Sequence, residues 1–126
     1  MKRLLHLFAA LATAVVVAGC SGMHGAPAKT SGGVLTDTSG MTLYVLDNDA
    51  ANNGKSTCNG PCAANWPPLL APEGAKARGD YSIVKRDDGT LQWAYKGKPL
   101  YRWVNDQNPG DKSGEGVMRV WHAAKP

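Results

Sequence analysis

Two cysteines stand close enough in the sequence to act as a pair. Cys58 and Cys62 enclose Asn, Gly and Pro in the stretch CNGPC. Gly and Pro permit a tight turn, which would bring the two side chains within bonding distance. The pair could form a local disulfide, or it could remain a working dithiol that exchanges electrons or binds copper, with His122 as a third ligand.

Oxygen-rich turns offer a different kind of site. Residues 47–54 (DNDAANNG) and 105–111 (NDQNPGD) concentrate the oxygen ligands that calcium prefers. Neither stretch completes an EF-hand pattern, because no Glu follows at the required distance. Asn, Asp and Gly are also the common residues of ordinary turns. The expected cofactor is therefore none, with copper and calcium kept as alternatives.

Residues suited to catalysis are scarce elsewhere in the chain. Only two histidines, His24 and His122, follow the N-terminal apolar segment. We find no Ser–His–Asp order, no phosphate-binding loop and no paired-carboxylate signature. Asp87 and Asp88 are adjacent acids, but they stand in a predicted hairpin turn where water would reach them. The sequence therefore predicts a protein that is not an enzyme.

The N-terminus has the features of an export signal. Lys2 and Arg3 precede an almost uninterrupted apolar segment over residues 4–18. As a helix this segment would reach about 22 Å, which is short of the ~30 Å hydrocarbon core of a bilayer. Residues 1–19 are therefore predicted to be a signal peptide and not a membrane span.

The end of this leader resembles the bacterial lipobox. Residues 17–20 read VAGC, and the resemblance implies cleavage before Cys20 and attachment of a diacylglycerol, with a further acyl chain such as palmitate. Two or three such chains hold a protein firmly on a bilayer. Ser21 in place of Asp implies the periplasmic face of the outer membrane if the cell has two membranes. With Cys20 lipidated in an oxidising compartment, a disulfide between Cys58 and Cys62 becomes the expected state, and thiol or copper chemistry the alternative.

The mature chain is short and nearly neutral. Removing residues 1–19 takes away Lys2 and Arg3, which leaves 12 basic against 10 acidic side chains and no basic tract to bind nucleic acid. Residues 20–33 consist of the lipidated cysteine and small, polar residues, so we expect a flexible tether. Residues 34–126 suit a single domain.

The domain repeats part of its own sequence. Aligned with itself at an offset of 57 positions, the chain matches over two segments, about 34–70 and 83–124. The matches are Gly40 with Gly97, Leu43 and Tyr44 with Leu100 and Tyr101, Asn48 and Asp49 with Asn105 and Asp106, Lys55 and Ser56 with Lys112 and Ser113 and, after a two-residue deletion, Trp66 with Trp121. An internal duplication is the simplest explanation, and it predicts a pseudo-twofold relation between the two halves.

Both repeats have the period-two pattern of β-strands. The predicted strands lie within residues 33–37, 43–46, 81–86, 90–95, 99–104 and 117–121, with a hairpin turn at 87–89. The stretch CAANW could form one helical turn at most. The fold class is therefore mainly β, built of antiparallel hairpins from two tandem repeats that share one aromatic core. The candidates for that core, or for a groove that binds a ring, are Trp66, Trp93, Trp103, Trp121, Tyr44, Tyr81, Tyr95 and Tyr101.

The second repeat carries a Tyr-x-aromatic-x-x-Asp motif at Tyr101, Trp103 and Asp106. Together with the stretches GKPLY and CNGPCAANWPPL and the lipobox, this motif resembles the bacterial lipoproteins of the secreted-repeat family of unknown function. The resemblance covers nearly all of residues 34–124 and implies a β fold and an envelope location. It implies no particular activity.

The first repeat has Tyr44, Leu46 and Asp49 at the motif positions, with Leu where the family has an aromatic residue. In either copy the Tyr and the residue two positions on share a strand face, and the Asp ends the strand, where it can accept backbone N–H groups. The motif is therefore interpreted as a strand-and-turn clasp. The alternative is that the paired motifs frame a symmetric ligand site.

The combined prediction is a membrane-anchored envelope lipoprotein with a non-catalytic binding or structural role. Its predicted partner is the lipid bilayer, contacted through acylated Cys20, and the sequence indicates no specific protein or small-molecule ligand. The alternative is a periplasmic thiol-redox or copper-handling protein that uses Cys58 and Cys62. Copper-delivery proteins with this cysteine spacing have a thioredoxin fold, whose helices this sequence does not predict.

Overall fold

The computed structural model of the chain describes residues 25–126. The predicted signal peptide, the lipobox with Cys20 and the first residues of the tether lie outside this range. Among the described residues, no helix has the length and apolar character needed to cross a membrane.

The described part of the chain is mainly β, which confirms the predicted fold class. Its strands are β1 (Lys29–Ser31), β2 (Val34–Thr36), β3 (Tyr44–Leu46), β4 (Leu70–Ala71), β5 (Tyr81–Lys85), β6 (Leu91–Tyr95), β7 (Lys98–Pro99) and β8 (Trp121–Ala123). One short helix, α1 (Pro61–Asn65), and one 3₁₀ turn (Val117–Arg119) complete the elements. The helix is the single turn expected from CAANW, and the Pro at its start is favourable because its missing N–H would have no helical partner there.

The strands form three small antiparallel sheets. β1 pairs with β2, β3 pairs with β8, and the third sheet has the order β4-β6-β5 with β7 also paired to β6. The β3–β8 pair joins the first repeat to the end of the second, with Leu46 opposite Trp121 and Tyr44 opposite Ala123. Strands from the two repeats are therefore mixed within one sheet.

The predicted hairpin around residues 87–89 is present as β5 and β6. Its turn is closed by a hydrogen bond from the Arg86 N–H to the Thr90 carbonyl, at 2.8 Å. Gly89 has a φ of 85°, which glycine adopts without steric cost. The Asp88 carboxylate accepts hydrogen bonds from the side chain and backbone N–H of Thr90, and these bonds lower the pKa of Asp88.

The prediction of a strand over residues 117–121 is wrong for residues 117–120. Met118 and Arg119 have φ values of 52° and 61°, so the backbone turns in the left-handed region instead of extending. The segment forms the 3₁₀ turn Val117–Arg119, and the strand begins only at Trp121.

The strand predicted over residues 99–104 is also shorter than expected. Regular pairing with β6 ends at Pro99, and Tyr101 instead makes isolated bridges with Tyr44 and Pro68. The chain leaves the third sheet here because Tyr101 bonds to the first repeat.

Ordered structure begins earlier than the sequence indicates. Strand β1 (Lys29–Ser31) falls within the segment expected to be a flexible tether, and its backbone pairs with β2. Ala28, just before it, is buried. The expectation of a tether over residues 20–33 is therefore corrected for residues 28–31, where strand pairing offsets the cost of ordering.

Two clusters of buried side chains lie side by side. Alternation along the chain sends Tyr44 and Tyr101 into one cluster and their neighbours Leu43 and Leu100 into the other. The aromatic cluster contains Val34, Tyr44, Leu46, Cys58, Trp66, Tyr101, Trp121 and Ala123, and the aliphatic cluster contains Ala28, Leu35, Leu43, Leu100 and Ala124. The aromatic cluster unites both repeats as expected, whereas the second cluster was not predicted.

Candidate functional site

The two motif tyrosines lie next to each other in the centre of the domain. The Tyr44 N–H donates to the Tyr101 carbonyl at 2.8 Å, and the Tyr101 N–H donates to the Tyr44 carbonyl at 2.9 Å. This exchange of two bonds is the pairing of two antiparallel strand residues. It places the two motifs side by side and running in opposite directions.

The tyrosine hydroxyls then reach across to the opposite repeat. Tyr44 donates to Asp106 Oδ2 at 2.6 Å, and Tyr101 donates to Asp49 Oδ2 at 2.5 Å. Each Tyr therefore bonds to the Asp of the other motif and not to the Asp of its own. We refer to Tyr44–Asp106 and Tyr101–Asp49 as the crossed Tyr–Asp pairs.

The second oxygen of each carboxylate holds a turn in its own repeat. Asp49 Oδ1 accepts from the N–H and hydroxyl of Thr57, both at 2.7 Å. Asp106 Oδ1 accepts from the N–H and hydroxyl of Ser113, at 3.0 and 2.6 Å. In the structure, Thr57 therefore makes the contacts that correspond to those of Ser113. The sequence alignment had instead matched Ser113 with Ser56.

Burial keeps the two motif tyrosines protonated. Tyr44, Tyr101 and Asp49 are fully buried and Asp106 nearly so. Burial raises the pKa of both tyrosines well above the ordinary value, and the hydrogen bond to the facing carboxylate raises it further. Both hydroxyls are therefore hydrogen-bond donors at any physiological pH.

No buried side-chain nitrogen or oxygen in the described part of the chain lacks a hydrogen-bond partner. The polar atoms of the crossed Tyr–Asp pairs are bonded to one another, so they are not aimed into an open cavity. This arrangement favours the interpretation of the motif as a clasp over that of a symmetric ligand site.

The remaining motif position differs between the repeats. Leu46 is buried in the aromatic cluster, whereas Trp103 is half-buried and stacks on Trp66 with ring centroids 4.0 Å apart. Trp103 also lines a cleft of about 260 Å³ together with Met41, Pro67, Arg102, Val104 and Asp106. The aromatic residue of the second motif thus connects the core to the surface.

Tryptophan stacking fills the centre of the aromatic cluster. Trp66 and Trp121, which match in the sequence repeat, are parallel to within 5° with centroids 3.8 Å apart. Tyr44 meets Trp66 edge-on at 5.4 Å, and Tyr101 meets Trp121 edge-on at 5.1 Å. Such edge-to-face contacts are favourable beyond the area that they bury.

A buried arginine extends the polar network, and sequence reasoning missed it. Arg86 is only 5% exposed, and its guanidinium donates to Ser56 Oγ, Gln92 Oε1 and the Cys58 carbonyl. Ser56 in turn bonds to the Tyr101 hydroxyl at 2.6 Å. The signal was available, because Arg86 is two positions from buried Val84 on the inward face of a period-two strand.

The predicted disulfide is present between Cys58 and Cys62, with an S–S distance of 2.02 Å. Cys58 is fully buried in the aromatic cluster, and Cys62 is half-buried in α1. The bridge therefore fixes the loop that contains Cys58, whose carbonyl accepts a hydrogen bond from the Arg86 guanidinium.

Opening this bridge is expected to cost about 2 kcal/mol of stability, since a loop this short removes little entropy from the unfolded chain. The measurement is urea unfolding of the oxidised protein and of a Cys58→Ala, Cys62→Ala variant, followed by tryptophan fluorescence. A loss well above this value would indicate that the bridge supports the whole domain and not only its loop.

His122 lies on the surface between two carboxylates. Its Nε2 is 3.1 Å from Asp47 Oδ2 and its Nδ1 is 3.5 Å from Glu115 Oε1. The hydrogen bond to Asp47, and then the weaker effect of Glu115, raise the pKa of His122. Because the two acids meet opposite sides of the ring, the three groups do not converge on one point where a metal ion could bind.

Because the pKa of His122 is raised, its pairing should stabilise the fold slightly at low pH and less at high pH. The pairing contributes in full below the unfolded pKa of 6.5 and is lost as pH rises through the higher folded value. Because the pair is largely exposed, the effect should stay below about 1 kcal/mol. The test is thermal unfolding of the native protein and of His122→Gln at a series of pH values that starts below 6.5 and rises through the folded pKa. The difference in stability between the two proteins should shrink as the pH rises.

Copper and calcium were the alternative cofactors. Within residues 25–126, no group of three or more His, Cys, Asp and Glu side chains is placed to hold a metal ion. His122 bonds to the carboxylates of Asp47 and Glu115 and not to the cysteine pair. In the oxygen-rich turns, Asp111 caps the backbone N–H groups of Gln107 and Asn108. The Asp111 carboxylate therefore stabilises the turn in which it lies.

Comparison with known protein families identifies a relationship. A family model described as a secreted repeat of unknown function matches residues 26–70 and 82–125. No curated protein and no solved structure matches the chain. The two matched segments correspond closely to the repeats predicted from the sequence.

Proposed function

Because the chain belongs to the family described as a secreted repeat of unknown function, we propose that it is an envelope lipoprotein, held on a membrane by acylated Cys20 and acting without catalysis. Its role is to present a compact, cross-linked β module at the membrane surface as a binding or structural unit. Two features support the proposal, the lipobox and the buried state of the motif residues.

Anchoring is supported by the sequence around the cleavage site. The stretch VAGC ends an apolar leader and is followed by Ser21. The other two cysteines of the sequence, Cys58 and Cys62, are joined to each other, so neither is available for lipid attachment.

A non-catalytic role is carried by one observation. The side chains most suited to proton transfer, two tyrosines and two aspartates, are buried and bonded to one another in the crossed Tyr–Asp pairs. A general acid or base must reach its substrate within hydrogen-bond distance. These groups are instead used to join the repeats.

Surface available for a ligand remains beside Trp103. One face of its ring stacks on Trp66, and the residue lines the cleft with Arg102 and Pro67. A half-buried Trp next to a cation suits a ring-bearing envelope component, since such a ring can stack on the indole.

Mass spectrometry of the protein isolated from its own membrane tests both parts of the proposal. The native protein should carry a diacylglycerol on Cys20 and should sediment with membranes, whereas Cys20→Ala should do neither. Ser21→Ala is the matched control and should remain lipidated. A native protein with an unmodified N-terminal segment would refute the anchoring. A ligand that co-purifies with native protein and is lost from Trp103→Ala would support a binding role at the cleft.

Thiol redox chemistry at Cys58 and Cys62 is the second candidate. It is favoured by the Arg86 guanidinium, a buried cation bonded to the Cys58 carbonyl, since a nearby cation stabilises a thiolate. In that reaction one thiolate of an external dithiol would attack the half-buried Cys62 sulfur and release the Cys58 thiolate. The second thiol of the dithiol would then displace Cys62 from the mixed disulfide, so that the external dithiol becomes a disulfide and both cysteines are reduced. Free thiols counted before and after mild reductant decide between the candidates, because a bridge that resists reduction supports the structural role. A pair that is reduced readily and then binds Cu(I), less tightly in His122→Ala, would support the redox or copper alternative.

A further inference from the structure

We infer that the domain rests on the membrane by one particular face, the face at which the described chain begins, and that this face binds anionic lipid headgroups. The inference rests on the proposed acylation of Cys20. We call this surface the entry face, and define it by residues 25–30, the loop 72–80 and the ends of β5 and β6 at Tyr81 and Tyr95.

The spacing between Cys20 and the domain limits where the domain can lie. Five peptide units separate Cys20 from Gly25, and a fully extended chain of that length spans at most about 18 Å. The Gly25 carbonyl lies 3.5 Å from Arg78 Nη1, so the chain meets the domain at the loop that precedes β5. Whatever path the intervening residues take, Gly25, at which the entry face begins, stays within that distance of the lipidated cysteine.

The entry face has the side chains of a membrane interface. Residues 25–28 run between two open grooves of about 520 and 730 Å³, and Ala26 and Arg78 line both. Tyr81 and Tyr95 line the first groove, and Trp93 lines the second. Tyr and Trp are enriched where a protein meets lipid headgroups, because their rings are apolar and their polar atoms remain in water.

Basic side chains lie in and beside the same grooves as these aromatic rings. Lys29 and Arg78 line the first groove, Lys76 lines the second, and the Lys96 ammonium lies 5.2 Å from the centre of the Tyr95 ring. Each Lys or Arg close to an anionic bilayer strengthens association by about fivefold at physiological salt. The acidic residues among those lining the two grooves are Asp80 and Glu73. The local charge therefore favours an anionic surface.

The two ends of the β5–β6 hairpin differ in their side chains, and this difference indicates how the domain is oriented on the membrane. Tyr81 and Tyr95 lie at its entry-face end, whereas Asp87 and Asp88 lie exposed in its turn. Tyr81 and Lys85 are four residue steps apart along β5, which corresponds to about 13 Å. An anionic bilayer would attract the first end and repel the second, so the hairpin should point away from the lipid.

Site-specific fluorescence in vesicles tests this orientation on the full lipidated protein. Because Cys58 and Cys62 are bridged, a new cysteine at Thr30 or Lys85 can be labelled alone. The protein is inserted into vesicles of phosphatidylethanolamine and phosphatidylglycerol that carry a headgroup quencher. We expect the Thr30→Cys label on the entry face to be quenched strongly and the Lys85→Cys label weakly. In about 0.5 M salt, where charges are screened within a few ångströms, the difference should fall.

A charge-reversal variant separates electrostatic binding from simple proximity. Lys29→Glu combined with Lys96→Glu should lower the ratio of docked to undocked protein at least about tenfold. Lys85→Glu, on the same hairpin but near its turn, should leave the ratio unchanged. Equal quenching at the two label positions, or quenching independent of the fraction of phosphatidylglycerol, would overturn the inference while leaving the anchor intact. Mass spectra without lipid on Cys20 would instead refute the anchor, and the inference with it.

Discussion

Replacing Tyr101 by Phe is expected to lower the free energy of unfolding by about 2–3 kcal/mol, although only one oxygen atom is removed. The hydroxyl donates to Asp49 and bonds to Ser56 in a fully buried setting. Its loss leaves a buried carboxylate oxygen without that donor, and water cannot replace it without entering the core. Urea unfolding followed by tryptophan fluorescence measures the change.

The control for this variant is Tyr95→Phe. Tyr95 is half-buried on the entry face, and its change should cost no more than about 0.5 kcal/mol, the usual range for surface substitutions. If the two variants were equally stable, the Tyr101 hydroxyl would contribute no more than a solvent-exposed one, and the crossed Tyr–Asp pairs would have no special role.

Truncation of Trp66 to Ala should have a larger effect, about 3–5 kcal/mol. Its indole is 4% exposed and lies against Trp121 on one side and Trp103 on the other. Removal of the ring opens a cavity between the indoles of Trp103 and Trp121 that cannot close without moving segments of both repeats. Circular dichroism in the near ultraviolet should also lose intensity, because stacked indoles in a rigid core give strong signals there.

Trp103→Ala provides the matched comparison for Trp66. It removes the same side chain from the exposed end of the stack, where the neighbouring cleft can fill with water. We expect less than half the loss seen for Trp66→Ala. Equal losses would mean that burial of the indole does not determine its contribution and would contradict the description of the stack.

The repeat has a consequence for how the domain folds. Each motif Asp holds a turn of its own repeat through Thr57 or Ser113, but it receives a tyrosine from the other. A single repeat would leave a buried carboxylate with fewer donors, at a cost comparable to that of a broken hydrogen bond. We therefore expect the two repeats to unfold in one cooperative step.

Local patterns in the sequence were sufficient for part of this description. Period two located β5 and β6, the residues Asp-Asp-Gly located their turn, and the spacing of Cys58 and Cys62 located the disulfide. Each of these features depends on residues within about fifteen positions of one another, so neighbouring residue types are enough to specify them.

Other features depend on contacts that no local pattern encodes. The left-handed backbone at Met118 and Arg119 occurs at residues that seldom adopt it, so an alternating pattern there was misleading. The crossed Tyr–Asp pairs join residues 62 and 52 positions apart. From the sequence, Tyr44 could equally have served Asp49 in its own motif, and only the antiparallel bridge between the two tyrosines decides the partner.

A double-mutant cycle measures this choice of partner most directly. Tyr44→Phe is combined with Asp106→Asn in one cycle and with Asp49→Asn in another, and the free energy of unfolding is determined for every variant. The crossed arrangement predicts a coupling of about 1–2 kcal/mol for Tyr44 with Asp106 and a coupling near zero for Tyr44 with Asp49. A larger coupling between Tyr44 and Asp49 would contradict it, because the motif would then be satisfied within each repeat and the two halves would not be held together by these pairs.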